Sequence, residues 1–125
     1  MYPENLRYTK EHEWILVEGK KGLVGITEHA QNSLGDVVFT ELPEIGRKLK
    51  IGEALGVVES VKAVSDIFTP CSGIVTAVNE NLLDNPELIN QDPYGEGWLV
   101  EIEVEELDSE LLTSAEYEDF VAKEE

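Results

Sequence analysis

Hydrophobic and polar residues alternate along this chain in short runs, and that pattern predicts a mainly β structure. Glu13–Glu18 and residues 23–26 flank Gly19-Lys-Lys-Gly22, which predicts two strands joined by a turn. Further strands are predicted at 37–42, at 47–51 as a short edge strand, and at 55–59, 63–68, 73–79 and 98–104. About eight short strands of this kind indicate a compact antiparallel β fold.

Helical patterns are short. Thr27 is the predicted N-cap of a helix that runs through Leu34, and Gly35 is predicted to close it in a left-handed cap. The segment 79–92 is rich in Asn, Asp and Pro and is predicted to be mostly loop, with one helical turn after Pro86.

The end of the chain changes from strand to helical periodicity. Residues 107–112 and 114–123 each predict a helix, the second with Ser114 as its N-cap. Tyr117, Phe120 and Val121 have helical spacing, so we expect them to pack against the sheet.

The candidate chemistry lies in a predicted hairpin over residues 52–73. Its two apolar-rich runs flank Ser60-Val61-Lys62, which places Lys62 at the tip. Tight hairpin turns favour Asn-Gly or Asp-Gly, and Val61-Lys62 provides neither. We therefore expect either a more open turn or local backbone strain at the tip.

Lys62 is the only basic residue between Lys50 and Lys123, and apolar Val61 and Ala63 flank it. Most lysines are simply solvated surface charges. An isolated amine on a protruding turn is also a good substrate for a modifying enzyme, and acylation would remove its charge. From the residues alone, both interpretations remain open.

Composition restricts the classes of partner. The net charge is −18, from 27 acidic and 9 basic residues, which argues against nucleic-acid binding and favours steering onto basic protein surfaces. No apolar run is long enough to span a bilayer. The single cysteine, Cys71, cannot form an internal disulfide, and no targeting leader is visible, so a bacterial or archaeal cytoplasm is expected.

Catalytic and metal-binding patterns are weak. Cys71, His29 and Asp66 are the residue types of a thiol hydrolase, but nothing in the sequence brings them together. His12 and His29 lack the spacing of a ligand pair, so no metal site is expected. Gly52-Glu-Ala-Leu-Gly56 lacks the glycine order of a phosphate loop. We therefore expect a protein that is not itself an enzyme.

Glu59-Ser-Val-Lys-Ala-Val-Ser-Asp66, followed by Pro70 and Gly73, resembles the lipoyl-attachment segment of the glycine cleavage system H proteins. Other motifs in the family's order extend the resemblance over nearly the whole chain: His12-Glu-Trp14, Gly25-Ile-Thr-Glu-His-Ala-Gln31, Leu34-Gly-Asp-Val-Val38, Glu41-Leu-Pro43, Ile89-Asn90, Asp92-Pro-Tyr94 and Gly97-Trp98. Two residues depart from the family pattern. Glu11 stands where Ser or Thr is common, and Cys71 where an aliphatic residue is usual.

The resemblance implies one lipoyl-carrier domain over residues 1–125, with the barrel-sandwich hybrid fold of lipoyl and biotinyl domains and short added helices. The lipoyl hairpin would span about 52–73, and a C-terminal helical segment about 107–124. Lipoate would be joined by an amide to Lys62. The residues implied in attachment-site recognition are Glu59, Ser60, Val61 and Ala63, and those implied in a cleft for the loaded arm are Glu13, His29 and Asp66.

The same resemblance implies a carrier role and a set of partner enzymes. The lipoyl arm would accept the aminomethyl group of glycine from a pyridoxal-phosphate glycine decarboxylase, the P protein. A tetrahydrofolate-dependent aminomethyltransferase, the T protein, would then take the group. Dihydrolipoyl dehydrogenase, the L protein, would reoxidise the arm, and a lipoylating enzyme would first load Lys62. A monomer without nucleic-acid or membrane partners is expected.

Rival interpretations differ in the residues expected at the hairpin tip and in the pathway that the protein would serve. Lipoyl domains of 2-oxo acid dehydrogenases carry Asp-Lys-Ala beside Pro/Ala-rich linkers, and biotinyl domains carry Met on both sides of the lysine. Here the tip is Val61-Lys62-Ala63 and the chain has no such linker. An H-like lipoyl donor or redox carrier in lipoate assembly remains an alternative, as does a non-lipoylated interaction domain.

Overall fold

The structure is a computed structural model that describes residues 2–124. Within them the chain forms nine β-strands and four α-helices. The strands are β1 Arg7–Tyr8, β2 Glu13–Glu18, β3 Lys21–Ile26, β4 Val37–Glu41, β5 Lys48–Leu49, β6 Ala54–Ser60, β7 Val64–Phe68, β8 Cys71–Val78 and β9 Val100–Leu107. The helices are α1 Glu28–Leu34, α2 Asn81–Asp84, α3 Leu88–Gln91 and α4 Ser114–Glu124.

The strands form two separate antiparallel sheets that do not close into one barrel. One sheet has six strands in the order β1-β2-β3-β9-β8-β5, and the other has three in the order β4-β6-β7. The prediction of a mainly β, antiparallel fold is confirmed. The short β5 lies at the edge of the larger sheet, as the sequence predicts.

The first half of strand β2 is buried on both faces, because its alternate residues enter two different hydrophobic clusters. Ile15 belongs to the main core between the sheets. Trp14 belongs to a second cluster, where Tyr8 stacks on Tyr117 of α4 with ring centroids 4.7 Å apart. Tyr117 and Val121 are buried there, which confirms that α4 packs against the sheet.

The predicted helix over residues 107–112 is wrong. Leu107 ends β9, and a turn follows in which the Asp108 carboxylate accepts the N–H of Glu110. Leu112 is extended because its backbone pairs with Tyr8, through N···O distances of 2.9 and 2.7 Å. The C-terminal helix therefore begins at Ser114.

Two predicted helix caps also differ from the structure. Thr113, not Ser114, caps α4. Its hydroxyl accepts the N–H of Glu116 at 3.2 Å, and its own N–H donates to the Glu116 carboxylate at 2.9 Å, which is a capping box. Gly35 follows α1 with φ 82° and ψ −160°, so it has positive φ without the left-handed helical conformation. The N-cap of α1 is Thr27, as predicted.

The segment 79–92 is more helical than expected. It contains α2 and α3 in place of a single turn, because Leu82 and Ile89 insert into the main core and fix a helical turn around each of them. None of the helices within residues 2–124 is long and apolar enough to cross a bilayer.

Candidate functional site

Lys62 lies at the tip of the β6–β7 hairpin, as the sequence predicts. Ser60 closes this tip, because its hydroxyl oxygen accepts the N–H groups of Lys62 at 3.2 Å and Ala63 at 3.1 Å. The Ser60 N–H also donates to the carbonyl of Ala63 at 2.8 Å. Among the described non-glycine residues only His12 has a positive φ, so no residue of the tip has the left-handed conformation, and the turn is held by a serine side chain.

The tip is braced by the loop between α1 and β4. The Val61 N–H donates to the carbonyl of Asp36 at 3.0 Å. Asn90 fixes that loop, since its side chain donates to the carbonyl of Gly35 and accepts the N–H of Val37. A Cβ added at Gly35 would lie 3.3 Å from Cε of Lys62, so the lysine stem extends directly beside the glycine backbone.

The surface around Lys62 is apolar and accessible. Val61 and Val64 are 69% and 67% exposed, and Phe39 on the neighbouring strand is 54% exposed. Glu59 is half-buried on β6 and pairs with Val64 of β7. Lys62 forms no ion pair with any residue in 2–124, so its amine is held by no charged partner there.

Replacing Ser60 by alanine is expected to loosen the tip, because two backbone N–H groups lose their acceptor. We expect a loss of about 1 kcal/mol in the free energy of unfolding and faster hydrogen exchange at the amides of Lys62 and Ala63. Denaturant unfolding and amide exchange measure both. Ser65→Ala on β7 is the matched control, and equal exchange in the two variants would contradict the role of Ser60.

A cleft of about 380 Å³ extends from this region between α1 and β7. Its lining residues are Glu11, His12, Ile26, His29, Ala30, Ser33, Leu34, Ser65, Ile67 and Glu124. It starts beside the tip, because Leu34 lines it and the next residue, Gly35, has its backbone beside the Lys62 stem. The side chain at the tip and the cleft are therefore neighbours.

The three residues predicted for an arm-binding cleft have different surroundings. His29 lines the cleft. Asp66 is exposed on β7 between Ser65 and Ile67, which line the cleft although Asp66 itself does not. Glu13 is only 2% exposed. Their roles remain predictions.

The Glu13 carboxylate is buried without a cationic partner among the described residues. It accepts the Thr9 hydroxyl at 2.5 Å and the backbone N–H of Phe68 at 3.2 Å. Burial raises its pKa to about 7, and these two hydrogen bonds offset only part of the desolvation. Phe68, which donates to Glu13, follows Ile67, which lines the cleft. The Glu13 carboxylate therefore lies next to the cleft wall.

The fold also brings together a cluster that sequence spacing did not reveal, formed by His12, His29 and Glu124. Nε2 of His12 lies 3.2 Å from Oε1 of Glu124, and Nε2 of His29 lies 3.8 Å from the same oxygen. The imidazole centroids are 4.6 Å apart. Burial lowers the pKa of His12, and the charge of Glu124 opposes that change. No local sequence signal predicts this cluster, because its members come from the β1–β2 loop, α1 and α4.

Comparison with known proteins agrees with this geometry. The chain matches the glycine cleavage H-protein family model over residues 6–124. It is 60% identical over 121 residues to the glycine cleavage system H protein of Symbiobacterium thermophilum, covering 94% of each chain. It is 55% identical over 119 residues to the H protein of Herpetosiphon aurantiacus, covering 95% of this chain and 92% of that protein.

A solved structure gives the same result in three dimensions. The crystal structure of a glycine cleavage system H protein from Mycobacterium marinum superimposes with a TM-score of 0.89 at 40% identity, and the match covers 98% of each chain. At these levels of identity and coverage, sequence and fold agree over at least 94% of the chain. This chain belongs to the glycine cleavage H-protein family.

Proposed function

We propose that this protein is the lipoyl carrier of a glycine cleavage system, with lipoate attached to Nζ of Lys62. The observation that carries this proposal is the presentation of Lys62. Its amine extends from an exposed, hydrogen-bonded tip without an ionic partner among residues 2–124, in a chain 60% identical to a protein named as a glycine cleavage system H protein. The protein carries a group between enzymes and catalyses no step itself.

The residues around Lys62 fit a covalently bound lipoyl group. Amide formation removes the positive charge of Lys62, and no ion pair within the described chain is broken by it. The absence of a side chain at Gly35 leaves space beside the lysine stem. Ser60 and Asp36 fix the tip backbone, so a lipoylating enzyme meets one defined shape at Glu59, Val61 and Ala63. When attached, the lipoyl group supplies a reducible disulfide that can carry a one-carbon unit.

In this role the protein docks in turn with three enzymes of glycine cleavage. It accepts the aminomethyl group of glycine at the pyridoxal-phosphate decarboxylase, the P protein, and presents it to the tetrahydrofolate-dependent aminomethyltransferase, the T protein. Dihydrolipoyl dehydrogenase, the L protein, then reoxidises the carrier. The net charge of −18 favours approach to basic surfaces on these partners, and exposed Val61, Val64 and Phe39 provide apolar contact at the tip. We place this relay in the cytoplasm, where the free and buried Cys71 stays reduced.

The cleft beside the tip is the place where the loaded arm would be protected from water. Ile26, Leu34 and Ile67 give it an apolar wall, and water exclusion slows hydrolysis of a labile group. His29 would supply a polar contact from that wall. Glu13 and Asp66 would add carboxylates from the neighbouring positions on β2 and β7.

The proposal is tested by the mass of the protein purified from its native cells. We expect an increase by one lipoyl group, mapped to Lys62 in the peptide 60–80 that a glutamate-specific protease releases. Trypsin gives an independent measurement. Because Lys62 is the only basic residue between Lys50 and Lys123, cleavage after residue 62 occurs only while that amine is free. An unmodified Lys62 in cells replete with lipoate would contradict the proposal.

A further inference from the structure

We propose that His12, His29 and Glu124 form a binding site for one Zn²⁺ ion. Their ligand atoms, two imidazole nitrogens and one carboxylate oxygen, all lie within 4.8 Å of one another. The three side chains line the cleft, so an ion bound there would be reached from solvent. This inference goes beyond the carrier function and does not depend on lipoylation.

The two distances from the histidines to Glu124 are close to those between the ligand atoms of a zinc ion. Zinc bonds to nitrogen and oxygen of about 2.0–2.2 Å in tetrahedral geometry place neighbouring ligand atoms roughly 3.4 Å apart. The observed distances to Oε1 of Glu124 are 3.2 Å from His12 and 3.8 Å from His29, one slightly shorter and one slightly longer than that spacing. The two imidazole nitrogens lie within 4.8 Å of each other, up to about 1.4 Å beyond that spacing, so a bound ion would also draw the two histidine rings together.

The donor set identifies the class of metal. Two imidazoles and a carboxylate are typical ligands of zinc, and three protein ligands leave a fourth coordination position open. Calcium and magnesium prefer oxygen ligands throughout, so they fit this cluster poorly.

His12 is held in the orientation that a metal ligand needs. Its Nδ1 lies 2.8 Å from the Tyr117 hydroxyl, which lies 2.8 Å from the hydroxyl of Thr27. If Nδ1–H donates to Tyr117 and Tyr117 donates to Thr27, Nε2 of His12 is left unprotonated and faces Glu124. Such a hydrogen bond to the second ring nitrogen is the usual support of a metal-binding histidine. The backbone supports it too, because the His12 N–H donates to Thr9 and its carbonyl accepts the N–H of Thr27.

The competing explanation is a carboxylate that contacts two imidazoles and binds no ion. Metal titration separates the two. We would titrate the tag-free full-length protein with Zn²⁺ against a chromophoric chelator, and with Co²⁺ to follow its visible absorption. We expect one ion per chain, and a tetrahedral-type cobalt spectrum.

Ligand variants locate the ion. His12→Asn, His29→Gln and Glu124→Gln are each expected to weaken zinc binding by about 100-fold or more, since loss of an outer-shell partner alone costs 10–100-fold. Asparagine is chosen at position 12 because it tolerates the φ of 73° there. Glu118→Gln, exposed on the same helix, is the matched control and should bind zinc like the wild type.

Nitrogen-15 NMR of the imidazoles gives a readout that needs no variant. Zinc should shift the Nε2 resonances of both histidines and leave Nδ1 of His12 protonated. Absence of stoichiometric binding, or binding that persists unchanged in all three ligand variants, would overturn the proposal. Because neither result involves Lys62, failure here would leave the carrier function untouched.

Discussion

Replacement of Lys62 by alanine is expected to abolish glycine cleavage while the protein stays folded. The lysine side chain is exposed and forms no ion pair with a described residue. The turn itself is held by backbone groups and by the Ser60 hydroxyl, all of which remain in the variant. The free energy of unfolding should therefore change by no more than about 0.5 kcal/mol.

Activity is measured in a reaction reconstituted from the three partner enzymes, with lipoylation checked by mass. Lys62→Arg keeps the positive charge and should be equally inactive, because a guanidinium does not replace the amine as an acyl acceptor. Lys20→Ala, an exposed lysine in the β2–β3 turn, is the matched control and should retain full activity. Substantial glycine cleavage by Lys62→Ala would show that the group is carried elsewhere.

The hairpin that presents Lys62 could be predicted because its signals are local. β-Branched and aromatic residues within the two runs, with glycines beyond their outer ends, mark β6 and β7 without reference to the rest of the chain. The same holds for Thr27, whose hydroxyl accepts the N–H of Ala30 three residues later. Where the determinants of structure lie within a few residues of one another, the sequence pattern was sufficient.

The segment 107–112 could not be predicted for the opposite reason. Its periodicity suits a helix, but the decisive hydrogen bonds join Leu112 to Tyr8, more than a hundred residues earlier. Pairing with β1 keeps Leu112 extended and moves the helix start to Ser114. Thr113 then becomes the cap, a role that depends on where the strand pairing ends.

The candidate site likewise contains a residue that could be predicted from the sequence and others that could not. Lys62 follows from the hairpin and from the family resemblance, whereas the cluster of His12, His29 and Glu124 is created by the packing of three distant elements. The burial of Glu13 could be predicted only in part. Alternation in β2 places Glu13 on the same face as Ile15, yet a carboxylate at such a position is ordinarily exposed.

Glu13→Gln is expected to stabilise the protein at neutral and alkaline pH. The folded-state pKa of Glu13 is about 7, above its ordinary value of 4.5, so the folded protein binds this proton more tightly than the unfolded chain. The resulting stabilisation is fully present below pH 4.5 and is lost as the pH rises through 7. Glutamine resembles the protonated acid at every pH and does not incur this loss.

The size of the effect follows from the pKa difference. A rise in the pKa of Glu13 from 4.5 to about 7 corresponds to about 3 kcal/mol in the free energy of unfolding. The free energy of unfolding of Glu13→Gln minus that of the wild type should therefore rise by about 3 kcal/mol between pH 4.5 and pH 8. Denaturant unfolding of both proteins at each pH measures this difference. Taking a difference cancels the titration of all the other acidic residues, which the variant and the wild type share.

Glu18→Gln is the matched control, because Glu18 lies at the other end of β2 and is exposed. The pH-dependent part of the Glu13→Gln difference should exceed that of Glu18→Gln over the same pH range, because only Glu13 is buried. A pH-independent difference for Glu13→Gln would contradict the prediction, because it would mean that folding does not change the pKa of Glu13. The hydrogen bonds from Thr9 and Phe68 would then fully offset its desolvation, and Glu13 would be a negative charge beside the cleft at neutral pH.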